Sequence, residues 1–239
     1  MKISYLITCS NETDTLNALL SRVYDSIQYN ETDQRDEIVL LVDSKDKYGN
    51  DINKETSDIL YDFTQYGDVN WHCHSLDNNY GAHKNYGIER CSGNFIWQLD
   101  GDELPPETLL GENLHSIIDS NPNIEAYAVP RINDFKGVTE EHAKKWGWRL
   151  SISPTYKRPI VNFPDFQFRI FKRDLPRISF LRRLHEKIEG YNSYVCLPAE
   201  EEYAIYHDKT IEKQIETNLR YNTLFTEKEN RGHNVFGNK

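Results

Sequence analysis

No stretch of this 239-residue chain approaches the about 18 consecutive apolar residues of a membrane span. Its start carries no signal-type apolar core either: Met1 to Cys9 is only strand-length and runs into Ser10-Asn11-Glu12. Neither a membrane-spanning helix nor a secretory leader is expected. Cysteine is scarce. Cys9, Cys73, Cys91 and Cys196 are widely spaced and form no C-x-x-C pair, so no zinc ribbon or disulfide framework is expected. They read as reduced core residues of a cytoplasmic protein. There is no internal repeat and no low-complexity tract. Positive charge is in deficit, with 28 Lys and Arg against 38 Asp and Glu. The resulting net charge of −10 keeps the surface as a whole from attracting polyanions.

What is present begins with apolar content. Hydrophobic residues make up 38% of the chain and aromatic residues 12%, enough for a packed core and for ring-stacking surfaces. The charge is uneven. Between Lys144 and Lys187 twelve basic residues stand against three acids, Asp165, Asp174 and Glu186. That asymmetry points to an anionic partner on one face, although ordinary solvated side chains account for it equally well.

Strand and helix signals alternate in the first half. Ile3–Thr8, Ile38–Val42, Val69–Cys73 and Phe95–Leu99 are short apolar runs of strand length. Between them Leu16, Leu19, Leu20, Val23 and Ile27 recur at helical spacing, Ile59, Leu60 and Phe63 mark a second helix, and Gly81–Cys91 a third. Leu109–Ile118 reads as another helix. Continuous apolar strands interleaved with helices imply a mostly parallel sheet flanked by helices. After about residue 124 the pattern becomes mixed, with short strands at Ala126–Pro130, Phe168–Phe171, Tyr194–Leu197 and Ala204–Tyr206. Asn133–Phe163 shows little regular pattern and reads as a long functional loop. A helix from about Thr210 to Thr226, with Ile211, Ile215, Leu219 and Phe225 on an apolar face, precedes a polar tail over 227–239.

The chemistry-bearing residues stand where strands end. The run Phe95–Leu99 stops at Asp100-Gly101-Asp102, two acids separated by one residue, at the edge where open α/β sheets bind ligands. Alone this is a polar Asp-Gly turn; as a site it suits a hard divalent cation that also holds phosphate oxygens. Thr8, Ser10, Asn11 and Glu12 form a small polar turn after the first strand, either a helix cap or a nucleotide seat. Asp43 ends the second strand, placed to accept from a base or ribose. In Tyr80-Gly81-Ala82-His83-Lys84-Asn85, Lys84 offers a point charge for a diphosphate, while His83 reads as a packing residue.

The order of these pieces resembles glycosyltransferase family 2, the inverting enzymes of the GT-A fold, over roughly residues 2–225. Asp100-Gly101-Asp102 looks like that family's D-x-D motif. Within the family the likeness is greatest to small lipopolysaccharide core glycosyltransferases. Gly81–Asn85 resembles their Gly-Ala-x-Lys-Asn segment, and Asp165 with Arg169-Ile170-Phe171-Lys172 resembles their aspartate before an Arg-x-Phe-basic run. His185-Glu186, His207 and Asn218-Leu219-Arg220-Tyr221-Asn222 complete the match. Two stretches depart from it: Asp43–Gly49 is longer and more charged than usual, and 131–163 has little counterpart.

The resemblance implies one GT-A (Rossmann-like) domain over 1–226. Residues 1–123 would bind the nucleotide sugar, and 124–226 would form a smaller, mixed acceptor and catalytic half. It implies donor contacts from Thr8, Ser10, Asn11, Glu12, Asp43, Lys84, Asn85 and Asp100, and a divalent metal, Mn²⁺ or Mg²⁺, on Asp102 and His207. Asp100 is either a third metal ligand or a ribose contact. Glu186 is the first choice of catalytic base, kept ionised by Arg182, Arg183 and Lys187; Asp165 is the alternative. Arg182, Arg183, Trp146 and Trp148 would meet an anionic acceptor. That acceptor is a bacterial surface glycan such as lipopolysaccharide core, or a hydroxymethylated base in phage-type DNA. A sugar nucleotidyltransferase ranks last, because Ser10-Asn11-Glu12-Thr13 lacks a Gly-rich basic loop. The expected location is cytoplasmic, at most peripheral to the inner membrane. Nucleotide, sugar and oligomeric state are not legible in the sequence.

Overall fold

The computed structural model describes residues 1–28, 35–45 and 51–230. Asp46–Gly49, within the departing loop, and the last nine residues of the expected tail lie outside the described residues. The chain begins β1 (Ile3–Cys9), α1 (Thr13–Gln28), β2 (Glu37–Asp43), α2 (Lys54–Thr64), β3 (Val69–His74), α3 (Tyr80–Ile88) and β4 (Phe95–Asp100). Then come β5 (Glu103–Leu104), α4 (Glu112–Asp119), β6 (Ala126–Val129), β7 (Arg131–Lys136), α5 (Glu140–Trp146), β8 (Leu150–Ile152) and β9 (Pro159–Val161). It closes with β10 (Gln167–Lys172), β11 (Ser179–Leu181), β12 (Lys187–Glu189), β13 (Tyr194–Cys196), β14 (Ile205–Thr210), α6 (Ile211–Leu224) and α7 (Glu227–Asn230).

The main sheet runs β13-β6-β10-β4-β1-β2-β3. Its parallel half, β4-β1-β2-β3, is the alternating first part of the sequence, and β10 enters antiparallel between β4 and β6. The strands read as continuous apolar runs because both faces are covered. On one face Tyr5, Ile7, Leu40, Val42, Trp97 and Leu99 pack against Leu16, Leu19 and Leu20 of α1 and Leu114 of α4. On the other, Leu6, Val39, Leu41 and Ile96 meet Tyr86 and Ile88 of α3 and Phe180 of β11.

A second sheet, β5-β14-β7-β9-β8, packs its own small cluster of Ile132, Ile160 and Ala204. It overturns the expectation of an irregular 133–163: that stretch supplies β7, α5, β8 and β9. Arg158 fastens it, pairing with the buried Asp134 and the Tyr206 hydroxyl. Strands of three residues are too short to show a period, which is why the sequence conceals them. Two further expectations need correction. Cys73 and Cys196 are exposed rather than core residues. On α6 only Ile211 of the expected stripe is buried within the helix, with Phe225 just beyond its end, while Leu219 is 63% exposed.

The β11–β12 hairpin lies directly on α3. Asn85 clamps its backbone, receiving from Phe180 N at 2.7 Å and donating to Phe180 O at 2.9 Å. Gly81 allows the approach, since a Cβ there would fall 2.3 Å from the Arg182 carbonyl oxygen. Gly81→Ala should therefore push the hairpin off α3 at a cost of about 1–3 kcal/mol. Thermal unfolding checks this: the midpoint should fall by several degrees, and an unchanged midpoint would contradict the close packing.

Candidate active site

Alternation along β4 puts Gln98 and Asp100 on the face that carries α3, and the parallel register sets Thr8 beside Asp100. Asp100 becomes a hub. Its Oδ1 accepts from Thr8 Oγ1 and Gln98 Nε2 at 2.9 Å each and pairs with Lys84 Nζ at 2.9 Å. Its Oδ2 accepts from Arg169 Nη2 at 2.8 Å. Burial alone would raise the Asp100 carboxyl pKa, but the Arg169 and Lys84 charges hold it well below the usual carboxylate range. Arg169 turns inward at a register shift between Phe168 and Ile170. There it also bonds Gln98 and pairs with the buried Glu103 at 2.5 Å.

Lys84 carries the network across to the hairpin, pairing with Glu186 Oε1 at 2.6 Å. Burial would favour a neutral Lys84, yet Asp100 and Glu186 outweigh it and raise its pKa. Glu186 and Asp100, 86 positions apart in the chain, thus share one ammonium group.

The second sheet brings in His207. On β14 it stands between Glu103 of β5 and Asn133 of β7 in register. A chain of bonds sets its tautomer. Arg131 grips Asp165 at 2.7 Å, Asp165 Oδ2 accepts from Asn133 Nδ2 at 2.9 Å, and Asn133 Oδ1 then accepts from His207 Nδ1–H at 2.9 Å. His207 Nε2 faces Asp102 Oδ2 at 3.3 Å. Burial would raise the Asp102 carboxyl pKa, but the adjacent imidazole holds it at about 2. A ring nitrogen and a carboxylate oxygen at this spacing need a proton or a cation between them, so the pair fits a metal ion. Among the described residues no group of three or more His, Cys, Asp or Glu is arranged as a metal cage. Two protein ligands plus substrate phosphates is how a Mg²⁺-like site is commonly completed.

The remaining candidates fall into two groups. Asp43 is at the same edge, its Oδ1 accepting from Leu76 N at 3.0 Å. Glu12 bonds Ser10 N at 2.7 Å, and burial with Asp102 and Asp100 nearby raises its pKa. Asn11 accepts from Asn53 N and so anchors the start of α2. Trp146 and Trp148 meet in a tilted contact with ring centres 4.6 Å apart, and Trp148 meets Phe135, which meets His207, so this aromatic row ends at the site.

Other residues are held by the fold. Lys84 is buried behind Asp100, Asn85 is spent on the hairpin, and both Asp100 oxygens are already bonded. All three are engaged within the fold. Asp165 is bonded by Arg131 and Asn133 on Oδ2 and by Gln167 on Oδ1. The partner of Glu186 is Lys84; Arg183 reaches Glu229 instead, at 3.7 Å. The basic segment is not one face, because Arg169 is buried and Arg173 pairs with Asp174. Glu103, Arg131, Asn133 and Arg169 escaped the sequence reading of the site. An arginine inside Phe168–Phe171 was the available signal, since a buried charge demands a partner.

A family model, Glycosyl transferase family 2, matches residues 4–184. The chain belongs to glycosyltransferase family 2. No curated protein sequence matches it significantly. The 1–349 fragment of S. aureus TarS superposes with a TM-score of 0.57 at 15% identity, covering 95% of this chain and 68% of that one. Full TarS gives 0.58 at 15% identity, with 95% of this chain against 41% of that one. The mannosyltransferase PcManGT from Pyrobaculum calidifontis, solved with GDP-Man and Mn²⁺, gives 0.55 at 13% identity, covering 91% of this chain and 60% of that one. These likenesses show a shared GT-A-type fold, and the family 2 chain spans less than half of full TarS.

Asp165 has a testable structural role. Burial opposes its charge, but Arg131 and Asn133 lower its pKa beneath the ordinary 3.8. Its contribution to stability is complete above pH 3.8 and is lost as pH falls through the lower folded value. Asp165→Asn should cost about 1–3 kcal/mol at neutral pH, with the gap from the parent narrowing below about pH 4. Urea unfolding at both pH values measures this, and a constant gap would refute it.

Proposed function

We propose that this family 2 protein is a metal-dependent inverting glycosyltransferase. It moves a sugar from a nucleotide-sugar donor to a hydroxyl of an anionic glycan. The observation that carries the proposal is the convergence of Asp102 with His207, and of Glu186 beside Asp100, at the strand-end edge of the sheet. The donor half spans 1–123 and the acceptor half 124–226.

Asp102 and His207 would hold Mn²⁺ or Mg²⁺, which supplies Lewis-acid neutralisation of the leaving diphosphate. PcManGT, bound to Mn²⁺ and GDP-Man, supports a divalent ion here. Asp43 accepts from the nucleoside, since Leu76 occupies only one of its oxygens. Lys84 fixes Glu186 Oε1 and leaves Oε2 to accept the acceptor hydroxyl's proton. That hydroxyl oxygen attacks the anomeric carbon as the bond to the diphosphate breaks. Glu186 is preferred over Asp165 because every contact of Asp165 is structural. The Trp146–Trp148 row and the exposed Arg182 and Arg183 receive the acceptor. Among the described residues no helix is long and apolar enough to cross a membrane.

Release of nucleoside diphosphate from sugar nucleotides with Mn²⁺ tests the reading. Asp102→Ala should abolish metal-dependent release with the fold intact; undiminished turnover in excess chelator would refute the metal. Glu186→Gln should lower transfer by about 10²-fold or more while nucleotide binding persists. Normal transfer in that variant would remove Glu186 as the base. A steep loss of duplex DNA binding with salt would redirect the acceptor to nucleic acid.

A further inference from the structure

The cations around the site are almost all neutralised within it. Lys84 meets Asp100 and Glu186, Arg169 meets Asp100 and Glu103, and Arg131 meets Glu103 and Asp165. Arg220, on α6, is not paired in this way. Among the described residues it makes no ion pair, and its Nε is buried without a hydrogen-bond partner. Its one side-chain bond runs from Nη2 to the Tyr80 hydroxyl at 3.0 Å. Tyr80 opens α3, with Tyr221 Oη 3.5 Å from its hydroxyl.

The Tyr80 that Arg220 bonds is tied toward both ends of the proposed donor, since its backbone N–H also donates to Arg183 O at 2.9 Å, in the turn that carries Glu186. Asp43 Oδ1 bonds Leu76 N, and Leu76 O accepts from Asn79 N at 2.8 Å, so the carboxylate is tied to the segment that delivers Tyr80. The Arg220 charge is felt at Asp43, where it helps to oppose the upward push of burial. On the far side Tyr221 senses Glu186. A nucleotide sugar with its nucleoside at Asp43 and its sugar at Glu186 must lay its diphosphate across the interval. An arginine fork with spare donors is suited to such an anion, and a buried Nε loses nothing further by bonding it.

We propose that Arg220 is a donor-binding residue that meets the diphosphate of the nucleotide sugar, aimed by Tyr80. This rests on the glycosyltransferase reading above. It adds a cation from α6 to the phosphates, beside the metal proposed on Asp102 and His207.

Calorimetric titration with UDP, GDP, uridine and guanosine, in Mn²⁺, separates the possibilities. In Arg220→Met the preferred nucleoside diphosphate should bind about 10- to 100-fold more weakly, the scale of a charge-assisted bond. Its nucleoside should bind within about twofold of the parent. Arg220→Lys should recover part of the loss, and Tyr80→Phe should show a smaller diphosphate-specific loss. If Arg220→Met fails to fold, the ratio of diphosphate to nucleoside affinity in Arg220→Lys carries the test and should fall several-fold. Equal weakening of diphosphate and nucleoside would make Arg220 a wall of the nucleoside pocket or a strut, and no change would exclude it from the donor site. Either result overturns the proposal while leaving the glycosyltransferase reading intact. Failure of the parent protein to bind either diphosphate would overturn both.

Discussion

Two buried cations, Lys84 and Arg169, with the half-buried Arg131 and their carboxylates, form the constraint on which the rest of this structure depends. A lone ammonium or guanidinium in that position would carry a desolvation cost no small domain can sustain. Lys84, Arg169 and Arg131 are tolerated because Asp100, Glu103, Asp165 and Glu186 surround them. The network joins α3, β4, β5, β7 and β10, with Asp165 and Glu186 from the turns beside them, so each must stand in its place for the charges to balance. Removing one partner leaves another buried and unpaired, which makes the arrangement rigid rather than merely stable.

That rigidity divides the two acids of Asp100-Gly101-Asp102. Asp100, with a 31% exposed side chain, is held on both oxygens by Thr8, Gln98, Lys84 and Arg169. Asp102, one turn residue later, keeps a 37% exposed side chain with His207 as its neighbour. One acid is tied into the charge network, and the other is the one proposed to hold the metal. The same division separates Asp165 from Glu186: the first orients Asn133 and through it the His207 ring, and the second retains an uncommitted oxygen. Orientation of a candidate metal ligand by partners behind it is a general means of setting tautomer and direction.

The parallel half of the sheet was legible because its strands are long, apolar and separated by helices with clear spacing, as in α1. The acidic strand ends were legible for the same reason: a polar residue closing an apolar run marks the edge where the sheet stops. The second sheet was not legible. β8 and β9 have three residues each, and their stability comes from Asp134, Arg158 and Tyr206 meeting across the fold. On α6 the apolar spacing misled, because Leu219 faces outward while Arg220 and Tyr221 turn toward α3.

The sequence by itself determined the family, the parallel core and the candidate residues at the ends of β1, β2 and β4. These follow from local periodicity and from strand ends that short-range patterns record. Only the tertiary structure decided which cation each carboxylate meets. It paired Lys84 with Asp100 and Glu186, tied Asp165 to Arg131 and Asn133, and brought His207 to Asp102 through a second sheet. Those outcomes depend on which distant charges meet once water is excluded, and a linear spacing carries no record of such meetings.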